Sequence, residues 1–427
     1  MSMLAIWAEK PEEGFINIVR SSEFRVRRFL NTPNYELKTP NLTRRVSMDF
    51  KLTPEQEMIR NMAKDFTEKN IKPIASRYDE EGTFPYHNLK KMAELGLMGM
   101  NIPAEYGGSE VGVVANSLAI TEIAKGCASH AVTTSVTNMV AELLYLFGRE
   151  EIKRKHIPKI CSGEYPAGAF ALTEPHTGSD AANIQMMAFR QDNTYILNGT
   201  KTLITSGEVA GVTVTWAVTD PNAKRGKGIS AFVAEKGTPG FIIGKTEDKM
   251  GHRASPSNEL IFNNCVIPGN CLLGKEGEGF KIAMTELDGG RIGIASLAVG
   301  VGFAAIDFAI DYVKEREAFG KPLSNFQAIQ WMIADSYTEL EAAQLLVLRA
   351  AFLKENHQPF TKEASMAKLF ATETAKNVAI RAVQMLGGYG YTKDYPVERY
   401  LRDIVGTTLY EGTSEVQRIV ISREVLK

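Results

Sequence analysis

From Thr53 to about Ile160 apolar residues recur at spacings of three and four, the period of helices with one buried face. Thr53-Pro54-Glu55-Gln56 heads this region as a cap, with proline at the first helical position, where its missing N–H costs nothing. Pro103-Ala104-Glu105-Tyr106-Gly107-Gly108 interrupts the period, and Ala131 to Phe147 then forms a long apolar stretch dotted with Ser and Thr. That stretch reads either as a plain core helix or as a buried helix facing a cavity. From about Ala167 to Phe280 the texture changes to short β-rich runs: Thr194 to Leu197, Val212 to Val218, Ile229 to Ala234 and Leu260 to Phe262. Asn198-Gly199 between two such runs predicts a hairpin turn. Helical period returns after Ile282, where Ile329, Met332, Ile333, Tyr337 and Leu340 trace the core stripe of a bundle. Val416, Ile419 and Val420 predict a terminal helix with an apolar face. The order is helical, then β, then helical, an α+β chain. Its expected boundaries are a helical domain at 48–165, a β domain at 166–281 and a helical bundle at 282–427, preceded by an extension at 1–47.

With 427 residues the chain has room for about three domains. Its 49 basic and 50 acidic residues leave no charge excess that would point to nucleic acid or to a membrane surface. No apolar run approaching the roughly 18 residues of a spanning helix is expected, and so no membrane insertion. Cys127, Cys161, Cys265 and Cys271 form no CxxC pair, and the six histidines show no ligand spacing, which predicts a reducing compartment and no metal. The first 47 residues carry five glutamates and no continuous apolar core, which argues against a signal peptide and against a mitochondrial leader. Met48 is the expected functional start.

Tyr410-Glu411-Gly412-Thr413 supplies the sharpest candidate chemistry, a carboxylate in a glycine-flanked turn. Thr408-Leu409-Tyr410-Glu411 also fits a Thr-x-x-Glu capping box, so Glu411 reads as a helix cap, as a catalytic base, or as both. No Walker loop and no GxGxxG opening a βαβ unit is present, so a nucleotide cofactor would have to bind differently. Thr173 to Asp180 is a polar turn rich in hydroxyls, and Gly387-Gly388-Tyr389-Gly390 lets backbone approach a ligand closely.

Seven separated motifs in fixed order resemble the flavin-dependent acyl-CoA dehydrogenase family, nearest its short-chain, butyryl-CoA type members. They are Thr173 to Asp180, Lys201 to Gly207, Gly251 to Ser255, Asp288-Gly289-Gly290-Arg291, Glu315-Arg316 with Phe319-Gly320, Gln384 to Tyr391, and Tyr410 to Thr413. The resemblance implies a middle β-barrel-like domain between a helical domain and a four-helix bundle. It also implies FAD held at Phe170, Leu172, Thr173, Ser179, Leu203, Ile204 and Thr205. Arg316, Phe319, Gln327, Gln384, Gly387 and Gly388 of a neighbouring subunit would hold the rest of FAD, and Thr413 and Glu415 complete the site. Acyl-CoA contacts fall on Ser179, Asp288, Arg291, Gly412 and Arg423.

The implied reaction removes an α-proton and a β-hydride from an acyl thioester, with Glu411 as the base and flavin N5 as the hydride acceptor. Free glutamate, with a pKa of about 4.3, is too weak a base for this, so the site must raise that value by desolvation. Some relatives carry the base at the position of Gly290, which here has no side chain. In Ala131 to Phe147, Thr133, Thr134, Thr137 and Asn138 are expected to offer no alternative acid, and the lack of arginine there disfavours a dicarboxylyl substrate. Leu203 stands where many members have tryptophan, and Ser206 where asparagine is common. The implied assembly is a homotetramer that passes electrons to an electron-transferring flavoprotein. It would be cytoplasmic in a prokaryote or reside in the matrix in a eukaryote. The rival readings are an acyl-CoA oxidase and a non-enzymatic acyl-CoA-binding scaffold.

Overall fold

The structure, a computed structural model, describes residues 51–427; the expectations for an extension at 1–47 and a start at Met48 lie outside the described residues. α1 (Pro54–Phe66) opens as its sequence dictates. Thr53 Oγ1 accepts from Gln56 N at 3.2 Å, and Thr53 N donates to Gln56 Oε1 at 3.0 Å, so both ends of a capping box form. α2 (Ala75–Glu81), α3 (Tyr86–Glu94), α4 (Val113–Gly126), α5 (Ala128–Phe147) and α6 (Glu150–Cys161) follow. α5 is buried along nearly its whole length, including Thr133, Thr134 and Thr137, whose hydroxyls are satisfied inside the protein.

The sheet comprises β1 (Gly168–Ala171), β2 (Met187–Gln191), β3 (Thr194–Thr205), β4 (Val212–Val218), β5 (Ile229–Glu235), β6 (Phe241–Thr246), β7 (Ser257–Pro268) and β8 (Leu272–Leu273). Its order is β6-β7-β3-β2-β4-β5-β8, with β1 parallel to β4. β4 and β5 are buried in six of seven positions each, with Thr213, Thr215 and Ser230 among the buried residues. The barrel-like expectation needs qualifying, because the sheet is not closed. β8 is two residues long and pairs only with β5, so no ladder joins it to β6 at the other edge. Asn198-Gly199 is not a turn. It lies inside the 12-residue β3 at a register shift, where a Cβ on Gly199 would come within 2.8 Å of Met186 Cα. The hairpin is made by Asp192-Asn193, between β2 and β3, with Asp192 at φ 49°.

α7 (Gly279–Glu315) starts beneath the sheet, where Trp216 Nε1 donates to Gly279 O at 2.8 Å. A short β9 (Glu317–Ala318) and β10 (Lys321–Pro322) hairpin leads to α8 (Gln327–Glu355), α9 (Thr361–Leu386), α10 (Val397–Thr407) and α11 (Ser414–Val425). The absence of a span-length apolar run does not hold for α7, whose best 18-residue window has a mean hydropathy of 1.9. That window is 78% buried inside the protein, so its apolarity serves the core between α4, α5, α8 and α9. On α8 only Leu340 of the expected stripe is fully buried, while Tyr337 stays exposed. On α11 the inward face carries Ser414 and Gln417, and Ile419 is exposed; the apolar stripe is not what docks this helix.

Candidate active site at the α10–α11 turn

Glu411 lies three residues ahead of α11, in the loop that follows α10, with φ 51°. The Thr408 capping box does not form. Thr408 ends α10 and donates to Val405 O at 2.8 Å, while the α11 cap is Thr413, whose Oγ1 accepts from Val416 N at 3.3 Å. A non-glycine residue in left-handed backbone costs about 1 kcal/mol or more, so something must hold it there. Two buried side chains do. Lys368 Nζ donates to Gly412 O at 2.8 Å, and Gln417 Nε2 donates to Gly412 O at 2.9 Å and to Glu411 O at 3.2 Å. With both carbonyls engaged, the Glu411 N–H has no backbone acceptor among the described residues.

The carboxylate points into the protein. Its Oε2 is enclosed and has no hydrogen-bond partner. A Cβ on Gly290 of α7 would sit 2.5 Å from that oxygen and 2.7 Å from Met139 Sδ, so the glycine is what makes room for the acid. Burial pushes the Glu411 carboxyl up to about 7, against the opposing pull of the Lys368 and Arg291 charges. The arrangement is a desolvated carboxylate whose proton exchanges near neutral pH, which is what a general base requires.

Arg291 is buried and donates to Asp288 Oδ1 at 2.5 Å and to Ser365 Oγ at 3.2 Å. Asp288 also accepts from Thr361 Oγ1 at 2.6 Å. These two candidate substrate residues are thus tied to each other, and Arg291 acts on Glu411 through its charge. Arg423 is exposed in the last turn of α11, and Glu415 in the first.

The remaining candidates fall on two surfaces. At the sheet, Thr202 N donates to Thr173 O at 3.0 Å, and fully buried Lys201 donates to Leu172 O at 3.1 Å and to Glu174 Oε1 at 2.7 Å. That clamp places Leu172 and Thr173 beside Leu203, Ile204 and Thr205, with Leu203 at φ 58° and 61% exposed; Ile204 is buried. Phe170 packs on Trp216 at a ring separation of 4.3 Å, and Ser179 is exposed in its turn. At the far end of the bundle, Arg316, Gln384, Gly387 and Gly388 line one groove, and a Cβ on either glycine would meet nothing within 4 Å. Phe319 stands at φ 53° and is 95% exposed; Gln327 is exposed at the start of α8.

The helix 131–147 does carry an acid. Glu142 of α5 pairs with Lys354 at 2.6 Å, which corrects the expectation that this segment offers none. Sequence reasoning also passed over Lys368, Gln417 and Glu286. Two of them have a visible signal, since Lys368 stands on the otherwise apolar stripe Ala364, Ala367, Ala371 and Ala375, and Glu286 on that of Ile282, Ala283 and Gly290. A lone charge on a buried face must have a partner or a function.

Three family descriptions match in succession: "Acyl-CoA dehydrogenase, N-terminal domain" over residues 53–164, "middle domain" over 169–265 and "C-terminal domain" over 277–426. "Acryloyl-CoA reductase (NADH)" of Anaerotignum propionicum is 50% identical over 89% of this chain and 96% of its own. "Acyl-CoA dehydrogenase, short-chain specific" of Clostridium acetobutylicum is 47% identical over 89% of this chain and 100% of its own. A chain of the structure reported as "Electron transferring flavoprotein of Acidaminococcus fermentans: Towards a mechanism of flavin-based electron bifurcation" superposes with a TM-score of 0.87 at 47% identity, covering 89% of this chain and 100% of that one. The chain belongs to the acyl-CoA dehydrogenase family.

Proposed function

We propose that this oxidoreductase desaturates a short-chain acyl-CoA between Cα and Cβ, with Glu411 as the base that takes the α-proton. One observation carries the reading: the carboxylate Oε2 is enclosed and unpartnered, at a point where burial brings its proton affinity to about 7. The α-hydrogen of a thioester is weakly acidic, so the base must be strong and the developing enolate oxygen must be stabilised. The free Glu411 N–H is the donor assigned to that oxygen, a contribution of roughly 3 to 4 kcal/mol in comparable sites. Lys368 and Gln417 keep the donor and the carboxylate in one rigid turn. The short-chain assignment is supported by the Clostridium relative.

FAD, the family's cofactor, fits the residues present. Leu203 and Phe319 expose apolar side chains from left-handed backbone, and Gly387 and Gly388 leave an open floor between Arg316 and Gln384, as a dinucleotide needs. Bound there, FAD supplies the acceptor for the β-hydrogen and its two electrons. The exposed aromatics Phe319, Trp331 and Tyr391 support a homotetramer in which the bundle-end groove serves a neighbouring subunit. The Acidaminococcus structure supports an electron-transferring flavoprotein as the electron partner. The Anaerotignum relative supports a second reading, the reverse reduction of an enoyl-CoA, in which protonated Glu411 gives its proton back.

The test is direct. The purified protein should be yellow, and butyryl-CoA should bleach it anaerobically; Glu411→Gln should keep the colour and lose the bleaching. A colourless protein, or bleaching that survives in E411Q, refutes the assignment.

A further inference from the structure

A cavity with a largely polar lining lies along α7, and two of its lining residues, Gly290 and Met139, also border the Glu411 carboxylate. Gly290 faces Glu411, and a Cβ on the adjacent Gly289 would lie 2.5 Å from Lys354 Nζ. Because the two glycines are adjacent, at most about 10 Å separates Glu411 Oε2 from Lys354 Nζ. Met139 and Ile292 form part of the wall, and the lining also holds Glu142, Glu286, Lys354, Asn101 and Asn116.

The charges there do not close on themselves. Lys354 is taken by Glu142 at 2.6 Å, and Asn101 Nδ2 donates to Glu142 Oε2 at 3.3 Å. That leaves Glu286 Oε1, Asn101 Oδ1 and Asn116 Oδ1, all enclosed and none with a hydrogen-bond partner. Glu286 is 2% exposed. Buried polar atoms are almost always paired, by the chain, by water or by a ligand, so three oxygens without a chain partner around a space of about 30 Å³ mark a place for a donor the size of a water or a hydroxyl. A plain alkyl tail would leave them unpaired and would lay methylenes against a carboxyl and an ion pair.

Resting on the dehydrogenase reading above, we infer that the acyl group this site takes carries a hydroxyl near its far end, bound by Glu286, Asn101 and Asn116. Burial, with Glu142 and Glu411 nearby, holds the Glu286 carboxyl well above the usual carboxylate range against the pull of Lys354. A neutral carboxyl both donates and accepts, and so does a hydroxyl.

The experiment compares substrates of equal heavy-atom count on the FAD-loaded protein. One pair is 5-hydroxypentanoyl-CoA against hexanoyl-CoA, the other 4-hydroxybutyryl-CoA against pentanoyl-CoA. In at least one pair kcat/KM should favour the hydroxylated member by about tenfold or more, carried mainly by KM, since sites built to pair a substrate hydroxyl reject the analogue without it. Glu286→Leu should reverse the preference, and Glu286→Gln should keep most of it. Equal or better turnover of the apolar members by the wild-type protein overturns the inference, whatever the variants do. If butyryl-CoA and every member of both pairs leave the flavin unbleached, the dehydrogenase reading itself has failed and this inference falls with it.

Discussion

Glu411 is held by its backbone and tuned by its surroundings, and the two can be separated. Lys368 bonds a carbonyl, not the carboxylate, yet its charge still opposes the upward shift of the acid. In the proposed reaction kcat/KM should rise with pH through about 7 as the free enzyme's Glu411 loses its proton, then level off. Lys368→Met, of similar volume, removes that opposing charge. The rising limb should then move up by roughly one pH unit, with about a fivefold loss at pH 7; an unmoved limb would show that the lysine is only a strut. The same shift has a stability consequence. A carboxyl whose folded pKa is raised favours the fold fully below its unfolded value and loses that contribution as pH climbs through about 7. E411Q should therefore gain thermal stability over the wild type from pH 5 to pH 8, by up to about 3 kcal/mol. A gain that shrinks with pH would contradict the burial argument.

Between elements, the decisive contact is the missing side chain at Gly290, where α7 faces the turn that carries Glu411. Gly290→Ala adds a methyl group that would press on Glu411 Oε2 and Met139 Sδ. Alanine also suits a helix interior better than glycine, by about 1 kcal/mol. The expectation is a fold that melts no earlier while bleaching by butyryl-CoA slows by about a hundredfold, the scale of an ångström-sized misplacement; equal losses in both would point to general damage. This scale also shows what a sequence discloses. The Thr53 cap was legible because its hydrogen bonds close within four residues. Thr408 offered a capping box, yet Thr413 makes the cap, in a turn held by Lys368 and Gln417, which are distant or ambiguous in sequence. Asn198-Gly199 carried a turn signal that long-range pairing with β7 turned into a bulge. Glu142, Glu286 and Lys354 come from three helices, and only the fold brings them to one cavity.

For the whole molecule, the α-β-α order was legible from periodicity because each layer is built from many residues of one type. Whether the sheet closes depends on edge strands only two to six residues long, too short for a pattern to announce. The surface adds an expectation of its own. A tetramer that buries Phe319 and Tyr391 should break into smaller species when both are replaced by serine, read as mass by light scattering; an unchanged mass would place the contact elsewhere. α7 has a consequence at this scale. It spans 37 residues, about 55 Å. Its first residue is pinned to Trp216 of the sheet, its middle flanks the carboxylate, and Tyr312 with Arg316 at its far end lines the bundle groove. The bundle groove, the wall beside the Glu411 carboxylate and the sheet anchor thus share one structural element.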